Sequence, residues 1–128
     1  MNNEQAAGPA LSMLNKPAQF AAFRAGSRFR AGTLLSVRVR RSGLTGVRLG
    51  FATGKELGGA VERNRVRRCL RVAVGQLLPR LIPGSDILVI ARAAAVPAGA
   101  VQLEAELCRL LSGAGALRPA GESADEKR

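Results

Sequence analysis

Nine consecutive residues, Arg63-Asn64-Arg65-Val66-Arg67-Arg68-Cys69-Leu70-Arg71, carry five guanidinium groups and one carboxamide. A guanidinium presents a planar fork of donors that matches a phosphate bidentately and also stacks on a base. At about 100° per residue, Val66, Leu70, Ala73 and Leu77 fall on one stripe, with Cys69 and Val74 at its margins. The segment therefore reads as a helix with an apolar side for a core. Asn64, Arg67, Arg68 and Arg71 project from the opposite half, with Arg65 toward one edge. A basic helix face is ordinarily a solvated surface with interspersed acids. Here Glu62 is the one acid nearby, and like charges four apart, Arg63/Arg67 and Arg67/Arg71, repel by about a few tenths of a kcal/mol each. A helix that accepts this repulsion is suited to meet an anion. The comb starts at the helix N-terminus, where free N–H groups and the dipole also favour phosphate. Asn64 adds a directional donor and acceptor that charge attraction alone does not require.

The rest of the composition points the same way. The 128 residues carry a formal charge of +11. Up to Ser112 there are 17 Lys and Arg against 6 Asp and Glu, whereas residues 113–128 hold three of each, so the excess belongs to the folded part. Such a balance implies a polyanionic partner, not a small metabolite. Arg outnumbers Lys 17 to 3, a preference that suits nucleic acid but that GC-rich coding would also produce. Without a histidine, Ser-His-Asp and Cys-His catalysis are excluded. Cys69 and Cys108 stand far apart, which does not make a usual zinc site. Both read as buried small hydrophobes in a reducing compartment. No run of about 18 apolar residues occurs and Met1 to Gln5 lacks the basic start of a signal peptide, so a cytoplasmic protein without a membrane association is expected.

The elements that must position the arginines follow from periodicity. Residues 1–12 and 113–128 read as flexible termini around a domain over 13–112. Pro17 opens a short helix containing Phe20 and Phe23, closed by Gly26. In 33–41, Leu35, Val37 and Val39 alternate with Ser36, Arg38 and Arg40, a half-buried strand with a basic second face. After the turn Ser42 to Gly46, Val47, Leu49 and Phe51 alternate in the same way, and the two runs are expected to pair as an antiparallel hairpin. The arginine helix spans Ala60 to about Leu78. Asp86 to Arg92 is nearly continuously apolar, as for a central strand buried on both faces. A last amphipathic helix follows Pro97, with Glu104 and Glu106 near its start.

Competing motifs fail on spacing or context. Gly50 to Glu56 is one residue short of a phosphate-binding loop and has Glu56 where Ser or Thr is required. A membrane-surface helix wants Trp, Phe or Leu on a broad apolar face. A helix-turn-helix reader of DNA would need a helix, not a strand, before the basic helix. Each of the four Phe residues is first a core residue, with Phe20 and Phe23 as exceptions close to the basic surface.

Arg48-Leu49-Gly50-Phe51, then Lys55, Gly58 and Ala60 to Arg71, then Asp86 to Arg92 closely resemble the protein subunit of bacterial ribonuclease P, in order from about Leu14 to Leu111. The R-N-R-x-[KR]-R-x-x-R element after a glycine-containing loop is its specific part. The resemblance implies an α+β fold, a two-layer α/β sandwich with three helices and a mixed sheet of about four strands. It further implies a left-handed βαβ crossover, against the default hand, as in the second domain of a small-subunit ribosomal protein. It implies a noncatalytic subunit that binds ribonuclease P RNA, one protein per RNA, and holds the 5′ leader of precursor tRNA in a cleft while the RNA performs the cleavage. No cofactor is expected on the chain itself, and Mg2+ is expected for the holoenzyme. By this carry-over Arg63, Asn64, Arg65, Arg67, Arg68, Arg71 and Lys55 contact RNA, and Phe20, Phe23, Val37 and Ala52 line the leader cleft.

Three positions depart from the family pattern. Glu56 stands where a second lysine is common, Phe23 lies at i+3 from Phe20 with Arg24 at i+4, and Val37 stands where a strand aromatic is common. Leader binding is therefore expected to lean on arginine more than on stacking. The alternative reading is a ribosomal or general RNA-binding protein without a processing role.

Overall fold

A computed structural model describes residues 9–119. In chain order the elements are β1 (Leu11–Met13), α1 (Pro17–Ala25), β2 (Arg28–Ala31), β3 (Leu35–Arg41), β4 (Val47–Ala52), α2 (Ala60–Leu77), β5 (Ser85–Ala91) and α3 (Ala100–Gly113). The five strands form one mixed sheet in the order β1-β4-β5-β3-β2. β4 and β5 are parallel and are joined through α2; β5 and β3, and β3 and β2, are antiparallel.

The fold class expected from the sequence holds, with five strands instead of about four. The hairpin does not hold. β3 and β4 are not neighbours, because β5 lies between them. The reason lies in β5 itself, a run apolar on both faces: Ile87 and Val89 are buried in the core, Leu88 and Ile90 are half-buried on the other face, and the strand takes a hydrogen-bonded neighbour on each side. Gly84, at φ +85°, leads the chain into that slot. Its carbonyl accepts from Ser42 N–H at 2.8 Å and its N–H donates to the Gly46 carbonyl at 2.8 Å, so the expected turn is tied to the entry of β5.

The folded part is also wider than 13–112. β1 adds parallel to β4, with Leu11 opposite Val47, and so uses residues assigned to the flexible N-terminus. Ala114, Ala116 and Leu117 are buried, and the Ile82 N–H donates to the Ala116 carbonyl at 2.9 Å. Residues 113–118 thus pack as part of the domain although their glycines suggested a tail. Residues 1–8 and 120–128 of the expected termini lie outside the described residues.

One sheet face carries Leu35, Val37, Val39, Val47, Leu49, Ile87 and Val89 against α2 and α3, and this is the core. α2 contributes Val66, Leu70, Ala73, Val74 and Leu77, as its period predicts. Cys69 and Cys108 are half-buried against this core and unpaired. The opposite face carries Ser36, Arg38, Arg40, Arg48, Gly50, Ala52, Asp86, Leu88 and Ile90, and α1 lies across it. α1 starts where the sequence places it: Pro17 has no N–H to lose, and the side-chain Oε1 of Gln19 accepts from the N–H groups of Asn15 and Lys16 at 2.8 and 2.9 Å. Gly50 makes room for the helix, since a Cβ there would lie 3.2 Å from Phe20 and 3.1 Å from Leu14.

Candidate nucleic-acid interface

The outer side of α2 is the first basic surface. Asn64, Arg68 and Arg71 are exposed, and Arg63 and Arg67 are half-buried. Among the described residues no carboxylate pairs with Arg63, Arg67, Arg68 or Arg71; the ion pairs found there use Arg40, Arg48 and Arg109. Asn64 is already engaged, its Oδ1 accepting from Arg67 Nη1 at 2.7 Å. The carboxamide therefore aims Arg67, an ordering that reduces the entropy lost when the guanidinium meets a phosphate.

Two expectations about this helix change. Arg65 points inward: its guanidinium donates to the Val96 carbonyl and, at 3.1 Å, to the Ala98 carbonyl, in the segment that leads into α3. Its position toward the edge of the apolar stripe brings it over this loop, so its donors go to the protein. The helix N-terminus is also less open than expected. Glu62 turns back so that its Oε1 accepts from the Gly59 N–H at 3.0 Å, which places a carboxylate over the first turn. An anion at that end would meet Glu62, which leaves the arginine side chains as the principal donors.

Lys55 and Glu56 are exposed on a 3₁₀ turn, Lys55–Leu57, which buried Leu57 anchors between β4 and α2. Glu56 lines a shallow cavity with Ser36, Ile90 and Arg92, so its charge lies by the sheet face opposite the core.

The second basic surface is that sheet face. A groove of about 700 Å³ opens between α1 and the sheet, lined by Phe20, Phe23, Arg24, Gly26, Ser27, Arg38 and Leu88. Phe20 is 37% exposed at its wall, whereas Phe23 is 3% exposed and serves mainly to seat α1. Ala52 is half-buried on this face, opposite Ile90. Val37 is not in the groove. It is fully buried on the core face opposite Val89, because strand alternation turns Ser36, Arg38 and Arg40 toward α1 and Val37 away.

Sequence reasoning missed the groove-side organisation around Asp86. This carboxylate is fully buried, at 0% exposure. It accepts from Arg48 Nε at 2.8 Å and Nη2 at 2.7 Å, and from Arg40 Nη1 at 2.9 Å. Burial by itself pushes the Asp86 pKa up, but the hydrogen bonds and charges of Arg48, then those of Arg40, outweigh it and hold the group below its ordinary value. The trio keeps one net positive charge. The signal was available: Arg40, Arg48 and Asp86 all sit at alternation positions that share a face, but seeing them meet requires the strand order. Glu106 was also missed as a structural group. Its Oε2 accepts from the N–H groups of Leu34 and Leu35, each at 2.7 Å, and fixes the start of β3 on α3.

Several donors on one chain, disposed on two faces, suit an extended polyanion. The same residues do not form a metal centre. Both oxygens of Asp86 already accept from guanidinium groups, and among the described residues no group of three His, Cys, Asp or Glu is placed to hold an ion. Among them, too, no helix is long and apolar enough to cross a membrane.

The chain is similar in sequence and in fold to known proteins. A family model described as Ribonuclease P matches residues 9–115. The ribonuclease P protein component of Chloroflexus aggregans is 44% identical over 99 residues, which cover 77% of this chain and 73% of that protein. That of a Roseiflexus species is 50% identical over 72 residues, covering 56% of this chain and 59% of the relative. Among solved structures, the RNase P protein of Staphylococcus aureus superposes with a TM-score of 0.74 at 26% identity, covering 83% of this chain and 97% of that one.

Proposed function

The chain belongs to the ribonuclease P protein family, and from that premise we propose that it is the noncatalytic protein subunit of ribonuclease P, an endoribonuclease of the cytoplasm. Its work is to bind the ribonuclease P RNA, one protein per RNA, and the 5′ leader of precursor tRNA, so that the RNA removes the leader and matures the tRNA 5′ end. The observation that carries the reading is the pair of basic faces: a comb without carboxylate partners on α2, and a groove with an exposed aromatic wall under α1.

The two faces suit two parts of one ribonucleoprotein. Arg63, Arg67, Arg68 and Arg71 meet phosphates of the folded RNA, with Asn64 holding Arg67 and Lys55 adding a charge beside the helix. Neutralising those phosphates lowers the repulsion that opposes the compact RNA fold, and this stabilises the active form when magnesium is scarce. The groove takes the single-stranded leader, with Phe20 offering a ring to a base and Arg24 offering charge to the backbone. Arg65 positions the helix from beneath. The Mg2+ of the reaction is assigned to the RNA; among the described residues no group of three His, Cys, Asp or Glu is placed to hold it.

Reconstitution tests this. Added to a bacterial ribonuclease P RNA at low magnesium, the purified chain is expected to restore cleavage of precursor tRNA at the mature 5′ end. Absence of stimulation across a range of salt overturns the assignment and leaves general RNA binding as the function.

A further inference from the structure

We propose that Arg38, backed by the ring of Phe29, is a base-stacking platform for single-stranded RNA in the groove under α1. The inference rests on reading that groove as the path of the leader.

Arg38 rises from the middle of β3 on the groove side, with Phe29 of β2 and Leu88 of β5 as its register partners. Its guanidinium carbon lies 4.7 Å from the centroid of the Phe29 ring. Its Nη1 donates to Ser27 Oγ at 3.4 Å. A long side chain that usually loses much rotamer freedom on binding is thus held beforehand by a ring and a hydroxyl. Arg40, two residues along the same face, is tied to Asp86, whereas Arg38 has no carboxylate partner among the described residues.

A surface arginine beside an exposed phenylalanine is by itself only a cation–π pair. The groove gives this one a use. Arg38 and Phe20 line the same cavity, with Leu88 on its floor, so a guanidinium plane and an aromatic ring border one space of about 700 Å³. Those are the two kinds of surface on which single-stranded bases stack. Phe23 is buried and Phe51 packs against the core, so neither offers a second ring. Arg38 supplies the second plane, and the Phe29 ring beneath it holds it in place.

The test uses the chain assembled with a bacterial ribonuclease P RNA, and precursor tRNA with and without its leader. Arg38→Lys keeps the charge and removes the plane; Phe29→Leu keeps apolar volume and removes the ring. Each is expected to weaken binding of the leader-bearing precursor by about fivefold or more. Binding of the leaderless tRNA and the salt dependence are expected to stay unchanged. A scan of abasic nucleotides along the leader is expected to find one position where the unmodified protein loses the same factor and Arg38→Lys loses nothing further. Unmodified leader affinity in both variants, or an abasic scan with no such position, overturns the platform while the groove reading stands. If the unmodified protein does not distinguish leader-bearing from leaderless tRNA, the groove reading fails and the platform with it.

Discussion

The outer face of α2 and the α1 side of the sheet are both rich in arginine, yet they treat their charges in opposite ways. On α2, Arg68 and Arg71 stand exposed with no carboxylate partner among the described residues, and Asn64 supplies the one side-chain hydrogen bond that orders the row. On the sheet, Arg40 and Arg48 converge on buried Asp86, and Arg38 leans on Phe29. The difference shows that counting arginines says little about binding. What matters is which guanidinium groups the protein has already used, because a used group shapes a surface and an unused one is available to a phosphate.

The largest effect that separates the faces is on stability. Asp86→Ala leaves Arg40 and Arg48 without their acceptor on a half-buried surface, and is expected to cost about 2 kcal/mol or more in chemical denaturation, less than a fully enclosed pair because both arginines reach solvent. Arg68→Ala, by contrast, is expected to move stability by less than about 0.5 kcal/mol. Equal losses would remove the distinction.

Arg65 sharpens the boundary within the arginine element itself. Arg65→Ala removes donors to the Val96 and Ala98 carbonyls and is expected to destabilise by about 1–3 kcal/mol, while the slope of log affinity for the RNA against log salt stays the same. Arg68→Ala or Arg71→Ala is expected to lower the magnitude of that slope by about 0.7–0.9. A lowered slope for Arg65→Ala would return that residue to the phosphate contacts.

The smallest expected effect is that of pH. The folded-state pKa of Asp86 lies below its ordinary value, so its contribution to stability is present above about pH 4, the unfolded value, and is lost as pH falls through the folded one. Unfolding of the unmodified protein followed from pH 6 downward should therefore show an acid loss of stability that is smaller in Asp86→Asn. An identical acid profile in that variant would place the loss elsewhere.

Much of this was legible in the sequence. The buried stripe of α2 follows from its period, and Pro17 and Gly26 mark the limits of α1. The pairing of strands was not legible, because β5 enters between two runs that are neighbours in sequence, and only its nearly continuous apolar run hints at this. The same alternation that identified β3 also excluded Val37 from the groove and put Arg38 there, which the family resemblance obscured. Arg65 and Arg68 look alike in sequence; one meets carbonyls that lie 31 and 33 residues later, and no local pattern reports that.

The separation of the two faces is tested most directly by the affinity of the assembled ribonucleoprotein for precursor tRNA with and without leader, compared among the unmodified protein, Phe20→Ala and Arg68→Ala. The account predicts that Phe20→Ala reduces the preference for the leader without weakening assembly with the RNA, and that Arg68→Ala weakens assembly while the preference survives. If both variants lower assembly and leader preference together, the faces are one surface and the account is wrong.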